Sequence, residues 1–356
     1  YMCESSRENR GAAAFATALV NNATLKILDL SYSDSVDCAG WQTFFGRLSH
    51  NVLVLEELSI SENKINDAAA VDLSNALGNQ GIVRSLKKLK LGDNLSIGAT
   101  GWQALSNRFH SLNTTLVELD LSTNNVRDAE AIFITTALMN SPSLRSLNLR
   151  SNMIRTEGWG TFSTLFLPTL QLEKLDIGYN SVSDEAASFL ATALADMPTL
   201  KTFKMHYVGD ITAVGLAAVS TVLDHPDAEI EHIDIGWNRN NDSVAIAYAS
   251  KLTGTSKKLK SIDLDGDGTR ITAAGWQAFS QAVWNKSSIM DTYTSNHTLQ
   301  KLGMLRPADL VLPLKLNTNS DKKAVARQKI ILAHFHGSDI NVHVFHEMLT
   351  EIFHGL

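Results

Sequence analysis

The nine residues Leu172-Glu173-Lys174-Leu175-Asp176-Ile177-Gly178-Tyr179-Asn180 decide how this chain is read. Leu175 and Ile177 alternate with polar neighbours, the period of a strand with one buried face, and Gly178 ends the run. The spacing of Leu172, Leu175 and Ile177 returns along the chain. It appears at Leu25/Leu28/Leu30, Leu55/Leu58/Ile60, Leu86/Leu89/Leu91, Leu116/Leu119/Leu121 and Leu144/Leu147/Leu149. After Leu172 it continues at Leu200/Phe203/Met205, Ile230/Ile233/Ile235 and Leu259/Ile262/Leu264. Successive starts lie 30, 31, 30, 28, 28, 28, 30 and 29 residues apart. Nine copies in phase mark a repeat architecture. Each strand-like run is followed by roughly twelve residues of helical apolar period. A single strand and helix cannot bury their apolar faces alone, so neighbouring units must stack into one continuous core.

Eight residues after each start stands a second periodic position: Ser33, Asn63, Asn94, Asn124, Asn152, Asn180, Val208, Asn238 and Asp267. An amide could orient water or phosphate, but a buried amide at a turn is needed first to satisfy backbone groups of adjacent units. Val208 breaks the series within His206-Tyr207-Val208-Gly209-Asp210, and a local irregularity is expected there. The helical halves carry a third pattern. Gly275-Trp276 opens one helix, and Gly40-Trp41, Gly101-Trp102 and Gly158-Trp159 open others, with a worn copy at Gly215-Leu216. These tryptophans align with Ala70, Ala131, Ala187 and Ala245 of the intervening repeats, a large-against-small alternation that fills space without strain. The glycine before each tryptophan is expected to let backbone approach the indole. A tryptophan stripe could instead be a ligand platform, but helical core spacing favours packing.

The pattern L-x-x-L-x-L-x-x-N resembles the leucine-rich repeat, and the repeat length and helical second half resemble its ribonuclease-inhibitor-like subclass. The resemblance covers residues 7 to about 300. It implies an α/β fold: a right-handed horseshoe solenoid with parallel inner strands, outer helices and a C-terminal helical cap. Residues 1–300 are assigned to the solenoid, about ten repeats with a partial first one, the last beginning near Ile289. Residues 301–356 are assigned to the cap, with helices over 307–316, over 322–336 before Gly337, and from Ile340 to about Phe353. The segments Ser295–Gln300 and Ala326–Ile330 are similar to the closing region of leucine-rich repeat proteins from single-celled algae.

Composition narrows the function classes. A net charge of −6 argues against a general phosphate-binding surface, so no nucleic acid is expected as partner. No apolar run reaches the length of a membrane span, and no membrane association is expected. Two cysteines, Cys3 and Cys38, fit a reducing compartment and a cytoplasmic location. Sequons at Asn22, Asn94, Asn113, Asn241, Asn285 and Asn296 weigh little in a chain so rich in Asn, Ser and Thr. The chain starts at Tyr1 and stops soon after His354, so a fragment of a longer chain, or a mature chain whose leader has been lost, is expected.

In the fold that the resemblance implies, places two, four, six and seven after each start face the concave side. The fourth place reads Asp29, Ser59, Lys90, Asp120, Asn148, Asp176, Lys204, Asp234 and Asp263, a largely acidic ridge. The seventh adds Tyr32, Tyr179, Tyr207 and Trp237. The candidate partner-binding residues are Tyr179, Lys204, His206, Tyr207, His232, Asp234, Trp237 and Asp263, because clustered Tyr and Trp dominate interface energetics and are unusual on inert surfaces. Asp263-Leu264-Asp265-Gly266-Asp267-Gly268 imitates a calcium loop, but Ala274 stands where the twelfth-position Glu would be. His334, His336, His343, His346 and His354 crowd the C-terminus without cysteine or a completing carboxylate, so no metal is expected. No phosphate loop, nucleophile elbow or acid pair stands out, so neither catalytic residues nor a cofactor are expected and the chain reads as non-enzymatic. It reads as a protein-interaction scaffold or recognition domain. Two alternatives stay open: a GTPase-activating protein of the Ran type, which uses the same subclass, and the sensing domain of a larger nucleotide-binding receptor.

Overall fold

Each repeat contributes a strand of only two or three residues, and in the first nine the fourth place of the repeat ends it. The computed structural model describes residues 7–335 except 21, 50–52, 79, 140, 167–170, 226, 253–257, 267–268 and 305. Its strands are β1 (Ile27–Asp29), β2 (Glu57–Ser59), β3 (Lys88–Lys90), β4 (Glu118–Asp120), β5 (Ser146–Asn148), β6 (Lys174–Asp176), β7 (Thr202–Lys204), β8 (His232–Asp234), β9 (Ser261–Asp263) and β10 (Lys301–Leu302). They form one open, parallel sheet in chain order. The register is constant: Leu28, Leu58, Leu89, Leu119, Leu147, Leu175, Phe203, Ile233, Ile262 and Leu302 stand side by side. All ten are buried against the helices, while the places on either side of them mostly face solvent.

Sequence dictates the strand end. Asp29, Asp120, Asn148, Asp176, Asp234 and Asp263 each turn one side-chain oxygen back to the backbone N–H two residues on. An Asx side chain that does this replaces the next ladder bond and closes the strand. The acidic ridge is therefore partly a device of local folding, and half of each carboxylate is already engaged.

The ladder amides are buried and do the work expected of them. Asn152 Oδ1 accepts the N–H groups of Asn124 and Val126, each at 3.0 Å, and Nδ2 donates to Leu121 O (3.0 Å) and Leu149 O (2.9 Å). One side chain thus ties two repeats together. The irregularity expected at Val208 is present. With no amide there, Val182 N–H finds Gly209 O (2.9 Å) and Gly209 N–H finds Asn180 O (2.9 Å) instead. A backbone bridge between Ser181 and Gly209 replaces the side chain.

Trp41, Trp102, Trp159 and Trp276 are all buried against neighbouring helices, with Ala70, Ala131, Ala187 and Ala245 buried among them. The glycine before the tryptophan has a different reason from the one expected. A Cβ on Gly101 would meet Asp67 Oδ1 at 2.8 Å, and one on Gly275 would meet Asp242 Oδ1 at 2.6 Å. What comes close is a carboxylate from the preceding repeat, not the indole. Asp67 Oδ1 accepts from Gly98 N (2.6 Å) and Gly101 N (3.0 Å), capping the helix Ala99–Leu112 from outside. Asp128 does the same for Arg155 and Gly158, Asp184 for Thr212 and Gly215, and Asp242 for Thr272 and Gly275. These helix N-termini are satisfied in trans, by the helix next door.

The tenth repeat does not begin near Ile289. Residues Ile289–Thr294 form an inserted helix, and the repeat spacing resumes at Leu299/Leu302, with β10 on the sheet edge and Met304, at the next apolar place, exposed. The helices Val311–Leu316 and Lys322–His334 follow. Lys329 is fully buried there, and its Nζ donates to Val283 O (2.7 Å) and Asn296 O (2.9 Å), 3.3 Å from His297 Nδ1. Burial holds the Lys329 ammonium down to about 7 and the His297 imidazole to about 4, the Lys329 charge adding to the latter. The helix expected from Ile340, together with His336, His343, His346, His354 and Gly337, lies outside the described residues.

Candidate binding surface

The eight sequence-derived residues fall into two groups joined by one side chain. Tyr179, Tyr207 and Trp237 lie beyond their strands, with backbone φ of 56°, 52° and 57°. This left-handed conformation recurs at the same place in other repeats, at Glu62, Asp93, Thr123 and Ser151. It swings the seventh residue out to the rim where strand passes into turn. Tyr179, Tyr207 and Trp237 are 40%, 52% and 51% exposed.

On the rim they form a row. The Tyr179 and Tyr207 rings stack at 4.7 Å, close to the ordinary spacing of strands, and Trp237 follows at 6.4 Å, tilted by 48°. The Arg150 guanidinium covers the Tyr179 ring at 4.6 Å. Behind the row opens a depression of about 850 Å³, lined by the turns of four successive repeats and including Met153, Arg155, Asp210 and Arg239. It lies at the repeat where Val208 interrupts the amide ladder.

Lys204, His232, Asp234 and Asp263 stay on the sheet and line a second, shallower depression of about 390 Å³ across β7, β8 and β9. His206 links the two groups. Its ring meets Tyr179 edge-on at 5.2 Å, and its Nδ1 lies 3.2 Å from Asp234 Oδ2. That contact lacks hydrogen-bond alignment, and Nδ1 has no hydrogen-bond partner among the described residues. Burial raises the Asp176 carboxyl, and it raises Asp263 too, with Asp234 and Asp265 adding repulsion. Burial also opposes the charge on Asp234, but His206, the Gly236 N–H and Lys204 outweigh it and hold that carboxyl low.

Along the array lysines pair with acids of the adjacent repeat: Lys87 with Glu56 (2.8 Å), Lys90 with Glu57 (2.7 Å), Lys201 with Glu173 (2.9 Å) and Lys260 with Glu231 (2.7 Å). On the rim, Arg150, Arg155 and Arg239 have no ion pair among the described residues. Sequence reading missed Arg155 and Arg239 because it stopped at the ladder residue, and it passed over Arg150 at the sixth place because only the fourth and seventh places were read out along the whole array. Arg239 directly follows ladder Asn238, and that adjacency was the signal.

The calcium-like run is spent locally: Asp263 Oδ1 accepts from Asp265 N (3.0 Å), and the Asp265 carboxylate accepts from Met304 N. Asp267 lies outside the described residues. Among the described residues no three His, Cys, Asp or Glu side chains are grouped as metal ligands. No helix of the described residues is long and apolar enough to cross a membrane.

The sequence profile described as "Leucine Rich repeat" matches residues 112–129, 140–159 and 172–191. These are leucine-rich repeats. The array is similar to two Homo sapiens proteins, "NACHT, LRR and PYD domains-containing protein 14" (24% identical over 223 residues, 62% of this chain and 20% of that protein) and "NACHT, LRR and PYD domains-containing protein 5" (27% over 235 residues, 64% and 19%). The chain thus spans about one fifth of the length of these curated relatives. Among solved structures it is similar to one described as Rad7 and Elc1 complex in yeast, with a TM-score of 0.41 and 20% identity, covering 75% of this chain and 68% of that one. Another is described as TLR13-ssRNA13 complex, with a TM-score of 0.32 and 18% identity, covering 79% and 46%.

Proposed function

We propose that this leucine-rich repeat array is a non-enzymatic recognition module that binds a protein partner through repeats five to nine. The observation that carries the reading is the exposed Tyr179–Tyr207–Trp237 row beside arginines that have no ion pair among the described residues. Large aromatics held rigidly and half exposed supply contact area at low entropic cost. In this reading Tyr179, His206, Tyr207 and Trp237 form the anchor, and Lys204, His232, Asp234 and Asp263 form the polar floor beside it. Residues 1–300 are the binding array and 301–356 its closing unit, with β10 at the seam; a cytoplasmic setting and the ribonuclease-inhibitor-like subclass belong to the same reading. A second reading, the sensing domain of a larger receptor, is supported by the relatives, whose names include two further domain types and of which this chain matches a fifth. Affinity capture with the wild-type chain and a Tyr207→Ala/Trp237→Ala variant tests the binding surface. The variant is expected to lose proteins that the wild type retains. Identical captured sets would refute it.

A further inference from the structure

We propose that the rim depression takes an extended acidic peptide segment of the protein partner, with its carboxylates on Arg155 and Arg239. This inference rests on the protein-binding reading and gives its partner a chemistry. The chain carries a net charge of −6, yet the depression is lined by two guanidinium groups and one carboxylate, Asp210, with Arg150 just outside it on the Tyr179 ring. Arg155, Asp210 and Arg239 are all exposed. Arginines left unpaired on an acidic protein attract an acidic partner, and planar guanidinium groups hold carboxylates in a fixed bidentate geometry.

Shape agrees with a strand-like occupant. The depression crosses four repeats, and parallel strands spaced ~4.8 Å apart put its ends roughly 14 Å apart. At ~3.3 Å per extended residue, four or five residues span it, roughly enough for two carboxylates to reach Arg155 and Arg239 at opposite ends. Stacked bases fit less well. Tyr179 has Arg150 over one face and Tyr207 on the other, so it offers a partner its edge and hydroxyl rather than an open ring. The neighbouring carboxylates Asp176, Asp234 and Asp263 would repel a continuous phosphate backbone on the sheet side.

The test is fluorescence anisotropy of the whole chain with three labelled probes: an eight-residue Glu/Ala peptide, its Lys/Ala counterpart, and an oligothymidylate of the same length. The Glu/Ala peptide is expected to bind, more weakly as salt rises, and the Lys/Ala peptide is not. Arg155→Glu/Arg239→Glu is expected to weaken that binding by roughly tenfold or more, as two exposed charge contacts are reversed. Asp210→Asn is expected to tighten it several-fold, a gain that damaged folding would not produce, and Lys323→Glu on the closing helix to leave it unchanged. Equal binding of the Glu/Ala and Lys/Ala peptides, a Glu/Ala affinity indifferent to salt, or binding of the oligothymidylate alone each overturns the proposal. If the peptide fails while the Tyr207/Trp237 variant still loses captured protein, the acidic-segment inference falls and the protein-binding reading stands.

Discussion

Replacing Gly101 by Ala sets two physical rules against each other. In an exposed helix the substitution stabilises by about 1 kcal/mol, because glycine loses more backbone freedom on folding. At Gly101 a new Cβ would stand 2.8 Å from Asp67 Oδ1, 2.8 Å from Ile97 Cγ2 and 3.0 Å from Ala70 Cβ. Overpacking of this kind costs about 1–3 kcal/mol. Displacing the carboxylate also removes the cap it provides to Gly98 and Gly101, about 1 kcal/mol more. The net is a loss of about 2 kcal/mol once the helix-propensity gain is deducted. Gly46 supplies the internal control, since it lies in the helix Cys38–Leu48 with nothing within 4 Å of a Cβ. Gly46→Ala is expected to stabilise by about 0.5–1 kcal/mol. Urea titration followed by circular dichroism reads both as midpoint shifts of opposite sign at unchanged slope. The Asp67→Ala/Gly101→Ala pair should cost less than the sum of its parts, because both changes break the same cap. If Gly101→Ala raises the midpoint as Gly46→Ala does, the trans cap is not what forbids a side chain there.

Three further outcomes follow from the same packing. Trp276→Ala is expected to lower stability by about 3–5 kcal/mol, as for any buried aromatic, and an unmoved melting temperature would place the ring on the surface. Asn152→Ala leaves two buried N–H groups and the Leu121 carbonyl without their partner, while Leu149 O keeps Asn180 Nδ2, and should cost more than about 2 kcal/mol, readable in the same urea titration. The third concerns pH. Lys329 titrates at about 7 when folded and His297 at about 4, both below their unfolded values of 10.5 and 6.5. The unfolded chain therefore binds more protons in both windows, so stability rises with pH from about 7 toward 10 and falls below about 6.5. Lys329→Met should flatten the upper slope in melting curves taken between about pH 7 and pH 9, and an unchanged slope would contradict the burial of that ammonium.

The fold was legible because its determinants are periodic. The spacing of Leu172, Leu175 and Ile177 placed every strand from β1 to β9, and the Gly-Trp and Ala series correctly paired large with small helices. What escaped was aperiodic or relational. The Lys301–Leu302 strand was hidden by the inserted helix Ile289–Thr294, which moves it out of phase. The glycine of Gly-Trp was assigned to the wrong neighbour, since its partner is a carboxylate in another repeat that no local window connects to it. In the candidate site, the seventh-place aromatics were expected on the concave sheet face. Their left-handed backbone carries them to the rim, and only three-dimensional adjacency shows that Arg150, Arg155 and Arg239 gather there.

The carboxylate caps have a consequence for how such a chain can grow or shrink. Donor and acceptor helices alternate, so the self-consistent unit is a pair: one helix that begins with Asp and one that begins with Gly-Trp. Trp41, Trp102, Trp159, Leu216 and Trp276 mark the second member of each pair, 57 to 61 residues apart. Removing one repeat would set two indoles, or two carboxylates, against each other at the new junction. Removing two in succession restores every junction. Genetic gain and loss in this array should therefore proceed in steps of two repeats, and a shortened version made by deleting residues 116–171 should fold where one lacking only 116–143 should not.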